Sequence, residues 1–205
     1  DWKSEWISAG IEEDVKKSNP AHMLRKDFSL RGKPASARAY VTSLGLYEME
    51  LNGQRVGTEV LTPGWTALQA RIQYQTYDVT DLLNSGGNAV GVTLGDGWYR
   101  GHIGFRGQRN TYGENLALLM QIHVDYADGS SELIVSDESW KSATGPILLS
   151  DIYDGEIYDA RLEKPGWSSA GYDAADWGDV NVAQRPNVML IAPEGPPIAK
   201  IEEIK

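Results

Sequence analysis

Residues 37–53, ARAYVTSLGLYEMELNG, decide the fold class. Ala39, Val41 and Ser43, then Tyr47, Met49 and Leu51, alternate with polar or small neighbours, and the rhythm breaks at Gly45. A period of two is the signature of a strand with one buried face. Asn52-Gly53 follows at once and supplies the positive φ angles of a two-residue hairpin turn. Val56 is predicted to pair back.

Outward from this stretch the pattern repeats. Thr62-Pro63-Gly64-Trp65-Thr66 reads as a turn closed by a Trp. Ile72–Val79 alternates, with Ile72, Tyr74 and Thr76 on one face and Gln73, Gln75 and Tyr77 on the other. Asp78 or Thr80 is placed to cap the turn at 81–83. Asn88–Leu94 and the long apolar run Leu116–Tyr126 read as strands, the latter turning at Asp128-Gly129 into Glu132–Val135. His22–Leu30 reads as an edge-like strand and Trp140–Ala143 as a short one. Ile147–Arg161 reads as a strand that becomes acidic and aromatic halfway, and Val188–Lys205 as a final strand. About ten short strands with regular turn signals and almost no helical period predict an all-β, jelly-roll-like β-sandwich of the kind seen in carbohydrate-binding modules. Residues 1–205 read as a single domain. Within it, 1–20 form a docking segment carrying Trp2 and Trp6 with an exposed loop, and 186–205 form a tail or linker.

The bulk numbers exclude several classes. A net charge of −10 over 205 residues opposes phosphate backbones, so nucleic acid is not an expected partner. No stretch approaches the ~18 apolar residues of a membrane-spanning helix, and no membrane partner is expected. Cysteine is absent, which removes disulfides and thiolate metal sites. The compartment, cytoplasmic or exported, stays open.

Chemistry concentrates in two places. The first is Gly95-Asp96-Gly97-Trp98-Tyr99-Arg100-Gly101, where a strand ends in aromatics and charge. Flat rings with polar edges suit a sugar face, and Asp96 and Arg100 would orient its hydroxyls. The competing reading is a tight turn whose Trp and Tyr plug the end of the sandwich. The glycine-rich 102–114 connection, with Phe105, Asn110 and Tyr112, is long enough to be functional. The second place is the acidic run Asp151, Tyr153, Asp154, Glu156, Tyr158, Asp159 and Arg161. On one strand face Asp154 and Glu156 would stand roughly 7 Å apart, inside the ~6.5–9.5 Å window of inverting glycosidases. Neighbours on one strand lie on the same side of a substrate, however, and an acid and base must flank the scissile bond. Sugar contact, calcium binding and simple surface pairing with Arg161 remain open. His22, His102 and His123 offer no triad and no zinc spacing; His123 is expected to pack within its strand. Calcium is conceivable because hard oxygen ligands abound, in Glu59, Asp96, Glu114, Asp151 and Asp154. Seven Trp and ten Tyr against two Phe favour carbohydrate faces and domain interfaces over a dry core.

Five motifs in this order, residues 37–53, 61–66, 74–80, 95–101 and 150–161 (SDIYDGEIYDAR), closely resemble the N-terminal β-sandwich domain of bacterial α-L-rhamnosidases of glycoside hydrolase family 78. The resemblance spans about residues 2–200. It implies a parent enzyme that removes terminal α-L-rhamnose by inversion, with its catalytic carboxylates in a separate C-terminal (α/α)6 barrel. On this reading the chain is a non-catalytic module with no catalytic residues of its own. Its partners are that barrel, which would dock on an exposed apolar patch, and rhamnose-containing carbohydrate. The alternatives are an autonomous calcium-dependent L-rhamnose-binding module and a purely structural one. No cofactor is required. Related modules that hold calcium make Glu59, beside Thr58, and Asn110 the metal candidates here, with Thr58 a poorer ligand than an acid or amide.

Overall fold

The structure, a computed structural model, describes residues 1–104 and 107–204; the expected anchor Phe105 lies outside them. Fifteen strands occur among the described residues, more and shorter than expected. They are β1 (Ile7–Ala9), β2 (His22–Leu30), β3 (Ser36–Leu44), β4 (Leu46–Leu51), β5 (Gln54–Arg55), β6 (Arg71–Gln73), β7 (Gln75–Asp78), β8 (Gly86–Gly95), β9 (Ala117–Asp125), β10 (Ser131–Val135), β11 (Lys141–Thr144), β12 (Ile147–Asp151), β13 (Gly155–Tyr158), β14 (Gly178–Val182) and β15 (Met189–Ile191). One turn of helix, α1 (Gly97–Arg100), follows β8.

The main strands run in the order β5-β4-β8-β2-β11-β14-β1-β9-β3-β7, with β10 added to β9. They fold into two layers facing one core. Leu24, Met49, Leu51, Val90, Val92 and Leu94 come from the β4-β8-β2 layer; Val41, Leu118, Met120, Ile122 and Val124 come from the β9-β3 layer. Such burial, at about 25 cal/mol per Å² of apolar surface, drives the fold.

The opening stretch turns out to cross between layers. β3 pairs with β7 and β9, and β4 pairs with β5 and β8. The switch occurs at Gly45, with φ 121°, where a Cβ would stand 2.6 Å from the Gly95 carbonyl oxygen. Strands that change sheets at a bend make the corners of a sandwich. The hairpin after it is as predicted: Asn52 and Gly53 both have positive φ, and Leu51 opposes Gln54. On the other side β14 is the seam. Gly178 and Asp179 pair with β11, and Val180, Asn181 and Val182 pair with β1.

Several expectations are corrected. β2 is central, between β8 and β11, not an edge. The alternation in 72–79 slips at Tyr74, because Ile72 belongs to β6, paired with β15, whereas Gln75, Tyr77 and Val79 point inward from a strand paired with β3. Residues 147–161 do not form one strand but a hairpin, β12 and β13. The Asp151 carboxylate receives the Tyr153 and Asp154 amides and folds the chain over, and Gly155 takes φ 81°. The final strand shrinks to β15, which pairs parallel to β6. His123 is exposed, edge-on to Tyr40, because its side of β9 lies outside the core.

A smaller second core covers part of the outer face of β9. It gathers Trp6, Leu44, Leu68, Ile72, Ala117 and Leu119, with Trp2, Trp98, Tyr99 and Tyr112 packed against it. Burial on both faces explains why β9 is apolar without alternation. Trp2 and Trp6 thus dock on this chain's own sandwich. Trp2 sits edge-on to Tyr74 at 5.7 Å.

Candidate functional site

The end of β8 builds the candidate site. Gly97 has φ 52°, and a Cβ there would collide with the Leu46 side chain, so glycine is required for the strand to turn into α1. α1 is then closed by Arg100 N–H on the Asp96 carbonyl at 3.2 Å and Gly101 N–H on the Gly97 carbonyl at 3.1 Å. The returning 108–112 segment runs beside it. Asn110 N–H donates to the Arg100 carbonyl at 2.9 Å, and Tyr112 N–H donates to the Tyr99 carbonyl at 3.2 Å.

Behind α1 lies a buried charge network. Asp96 is only 2% exposed and Arg100 is fully buried. Arg100 Nε donates to Asp96 Oδ1 at 2.7 Å, and its Nη1 pairs with Glu13 Oε2 at 2.5 Å. Arg109 bridges Asp96 and Asp151, reaching Asp151 Oδ2 at 3.0 Å. Asp151 also accepts the His102 amide at 2.7 Å. On Glu13, burial pushes the carboxyl pKa up, but hydrogen bonds from His22 and Arg100 outweigh it and leave the group below its ordinary value. Burial likewise works against the Arg100 charge, and Glu13 and Asp96 hold its pKa above the ordinary one. Asp96 and Arg100 therefore do not orient a sugar at the surface; their polar groups are spent on one another. Glu13, expected in an exposed loop, is their partner. Neither Glu13 nor Arg109 carries a sequence signal for this role, since both come from irregular segments that meet only in the fold.

In front of the network the aromatics form a ledge. Trp65 lies over Trp98, ring centroids 5.7 Å apart and planes 8° from parallel. Trp65 Nε1 donates to the Tyr112 hydroxyl at 3.0 Å. Trp65 is 57% exposed while Trp98 and Tyr112 are half-buried, so the open ring face belongs to Trp65. Tyr99 instead fits against Gly113, where a Cβ would meet its ring at 2.6 Å, and burial raises its pKa. The sequence placed the stacking surface on Trp98 and Tyr99. The signal that finds Trp65 is the Pro63-Gly64-Trp65 turn, which projects a large ring where a plain turn needs none.

The acidic hairpin stands beside this corner. Asp151 belongs to the network, and Asp154 in the turn meets His102 Nδ1 at 3.0 Å. That carboxylate and the Gly107 carbonyl raise the His102 pKa. Tyr153 is exposed at the tip. Asp154 and Glu156 do not share a strand face, because the chain reverses between Asp151 and Gly155. Tyr158 donates to Glu163 at 2.9 Å. Asp159 and Arg161 form an exposed pair at 2.6 Å, and hydrogen bonds from Arg161 lower the Asp159 pKa.

The two metal candidates sit apart in their bonding. Glu59 Oε2 caps the Thr58 amide at 2.9 Å. Asn110 Nδ2 donates to the Val15 carbonyl at 2.9 Å, and its Oδ1 is buried without a partner among the described residues. The carboxylates of that corner, Asp96 and Asp151, are already paired with Arg109. Among the described residues, no group of three His, Cys, Asp or Glu side chains is arranged to hold a metal ion. A hard cation that wants six to eight oxygens fits these residues poorly.

Comparison with known proteins now identifies the fold. The α-L-rhamnosidase N-terminal domain family matches residues 32–202. An α-L-rhamnosidase of Streptomyces avermitilis is 47% identical over 182 residues, which cover 87% of this chain and 18% of that protein. One from Formosa agariphila is 38% identical over 95% of this chain and 22% of its own length. This chain thus spans about a fifth of the relatives it matches. Among solved structures, the native rhamnosidase of Aspergillus terreus superimposes with a TM-score of 0.95 at 47% identity, covering 98% of this chain and 23% of that one. The Streptomyces avermitilis enzyme, crystallised with L-rhamnose, gives a TM-score of 0.86 at 44% identity, covering 90% of this chain and 18% of that one. On the strength of the family match and of these identities, the chain belongs to the α-L-rhamnosidase N-terminal domain family.

Proposed function

We propose that this domain is a non-catalytic module of an α-L-rhamnosidase, an enzyme that hydrolyses terminal α-L-rhamnose from glycosides. It supports a C-terminal catalytic barrel and lends its aromatic ledge to the sugar-binding end of the whole enzyme. One observation carries this reading: the open face of Trp65, stacked on Trp98 and tied to Tyr112, is backed by a buried network in which Asp96 and Asp151 are each paired with arginine. A flat apolar ring held rigid suits a sugar's C–H face. Carboxylates locked to arginines suit a scaffold better than general acid–base work, which needs a group free to exchange a proton. L-Rhamnose, the sugar in the Streptomyces complex, is the first ligand to test. Calcium is not required on this reading.

Two measurements on the chain itself test it. Incubation with 4-nitrophenyl α-L-rhamnoside should give no turnover, and turnover abolished by no contaminant control would overturn the non-catalytic assignment. Titration with L-rhamnose, with and without calcium, should shift the Trp65 and Trp98 indole N–H resonances in wild type, and the Trp98 resonance should stay still in Trp65→Ala. An unchanged wild-type signal in both conditions would remove the sugar contact.

A further inference from the structure

A separate cleft opens on the outer face of the other layer. It encloses about 450 Å³ between the floor of β4 and β8 and the overhanging β12–β13 hairpin. It shares no residue with the Trp65–Trp98–Tyr112 ledge.

Its construction is specific. The floor is kept flat by glycine. A Cβ on Gly95 would lie 2.8 Å from Ser150 Oγ, and one on Gly91 would lie 2.6 Å from the Trp167 ring. Trp167 is fixed by stacking on Trp177, centroids 6.0 Å apart and planes 16° from parallel. Tyr158, half exposed, is the second large ring free to line it, anchored through its hydroxyl to Glu163. Three polar groups in the lining are unspent: the Glu156 carboxylate, the Ser150 hydroxyl and the Thr93 hydroxyl make no side-chain hydrogen bond among the described residues. Glu48 and Glu50 also line it, paired with Arg55 and Ser168 respectively.

These features select a ligand chemistry. Aromatic rings beside hydroxyl and carboxylate groups in one lining match a hydroxyl-rich ring, and the volume falls in the range of about 300–1,000 Å³ typical of small-molecule sites. The lining carries three glutamates and no Lys, Arg or His, so an anionic ligand meets only like charge. We infer that this cleft is a second binding site, for a neutral mono- or disaccharide, with Tyr158 and Trp167 stacking and Glu156, Ser150 and Thr93 holding hydroxyls. The inference does not depend on the ledge.

The test is an amide NMR titration of the chain with L-rhamnose, D-glucose, D-galactose and, as the anionic comparison, D-glucuronate. At least one neutral sugar should shift the amides of Thr93, Ser150 and Glu156 with millimolar affinity, and D-glucuronate should shift them at least about tenfold more weakly, a difference of about 1.4 kcal/mol. Tyr158→Ala should weaken the neutral sugar by about tenfold or more. Tyr158→Phe, which keeps the ring, should retain it. Either variant leaves the sandwich core untouched, and thermal melting confirms that each is folded. The inference is overturned if no neutral sugar moves these amides, if D-glucuronate binds as well, or if Tyr158→Ala binds like wild type. Shifts confined to Trp65, Trp98 and Tyr112 would support the ledge and reject the cleft.

Discussion

Asp96→Asn is the sharpest probe of the charge network. The substitution keeps the side chain's shape and removes one negative charge that is 2% exposed and pairs with both Arg100 and Arg109. Removing one partner of a buried ion pair costs about 3–5 kcal/mol, because the remaining charge stays desolvated. Here the loss should fall near the lower end, about 3 kcal/mol, since Arg100 keeps Glu13 and Arg109 keeps Asp151. For a chain of this size each kcal/mol moves Tm by about 2–4 °C, so the melting temperature should fall by about 6–12 °C. The control is Asp159→Asn, whose partner Arg161 is 88% exposed; it should shift the melt far less than Asp96→Asn, because water screens an exposed pair. Urea unfolding measures both. The near-ultraviolet circular dichroism of the Trp65–Trp98 stack should weaken with Asp96→Asn only, because α1 carries Trp98. If Asp96→Asn lies within about 1 kcal/mol of wild type, the network is not what holds the ledge.

Three further outcomes are expected. Gly45→Ala should destabilise by about 2–4 kcal/mol in denaturant unfolding, because positive φ and the Gly95 carbonyl both oppose a Cβ; a neutral effect would mean that the sheet switch tolerates another path. His102 should titrate above 6.5 by NMR, and Asp154→Asn should bring it down. Because the folded pKa is raised, this pairing adds stability below the unfolded value and loses it as pH rises through the folded one; titration at or below 6.5 in wild type would refute the pairing. Chelation with EDTA should leave Tm unchanged and added calcium should raise it by no more than the scatter of the melt, whereas a clear rise would return Asn110 Oδ1 to consideration as a ligand.

Local signals carried most of the fold. Alternation in Tyr47, Met49 and Leu51 and the Asn52-Gly53 turn are properties of a few neighbouring residues, and the structure keeps them. The same alternation is silent about partners, so the crossing at Gly45 was invisible: a strand that changes sheets keeps its period of two. The acidic hairpin was missed because its turn is made by a side chain, Asp151 accepting two amides, within a run whose tyrosines and isoleucines read as continuous strand. The site was legible in place but not in role. Asp96 and Trp98 do lie at the centre of it, yet whether an aspartate faces solvent or two arginines depends on Glu13 and Arg109, which arrive from distant loops. Burial of charge is a property of the assembled corner, and no local pattern encodes it.

The seam at β14 also sets the order in which the molecule is completed. Ile7 pairs with Val182, so one edge of the first strand finds its neighbour only when nearly the whole domain has been synthesised. During translation β1 can lean on β9 through its one shared position, Ile7 with Leu118, but the two layers cannot close around the core on that side until residue 182 has left the ribosome. A chain closed by so distant a pairing has high contact order and folds slowly. In vectorial synthesis its open edges at β1 and β11 are exposed for longest, and that is where premature association between nascent copies would begin.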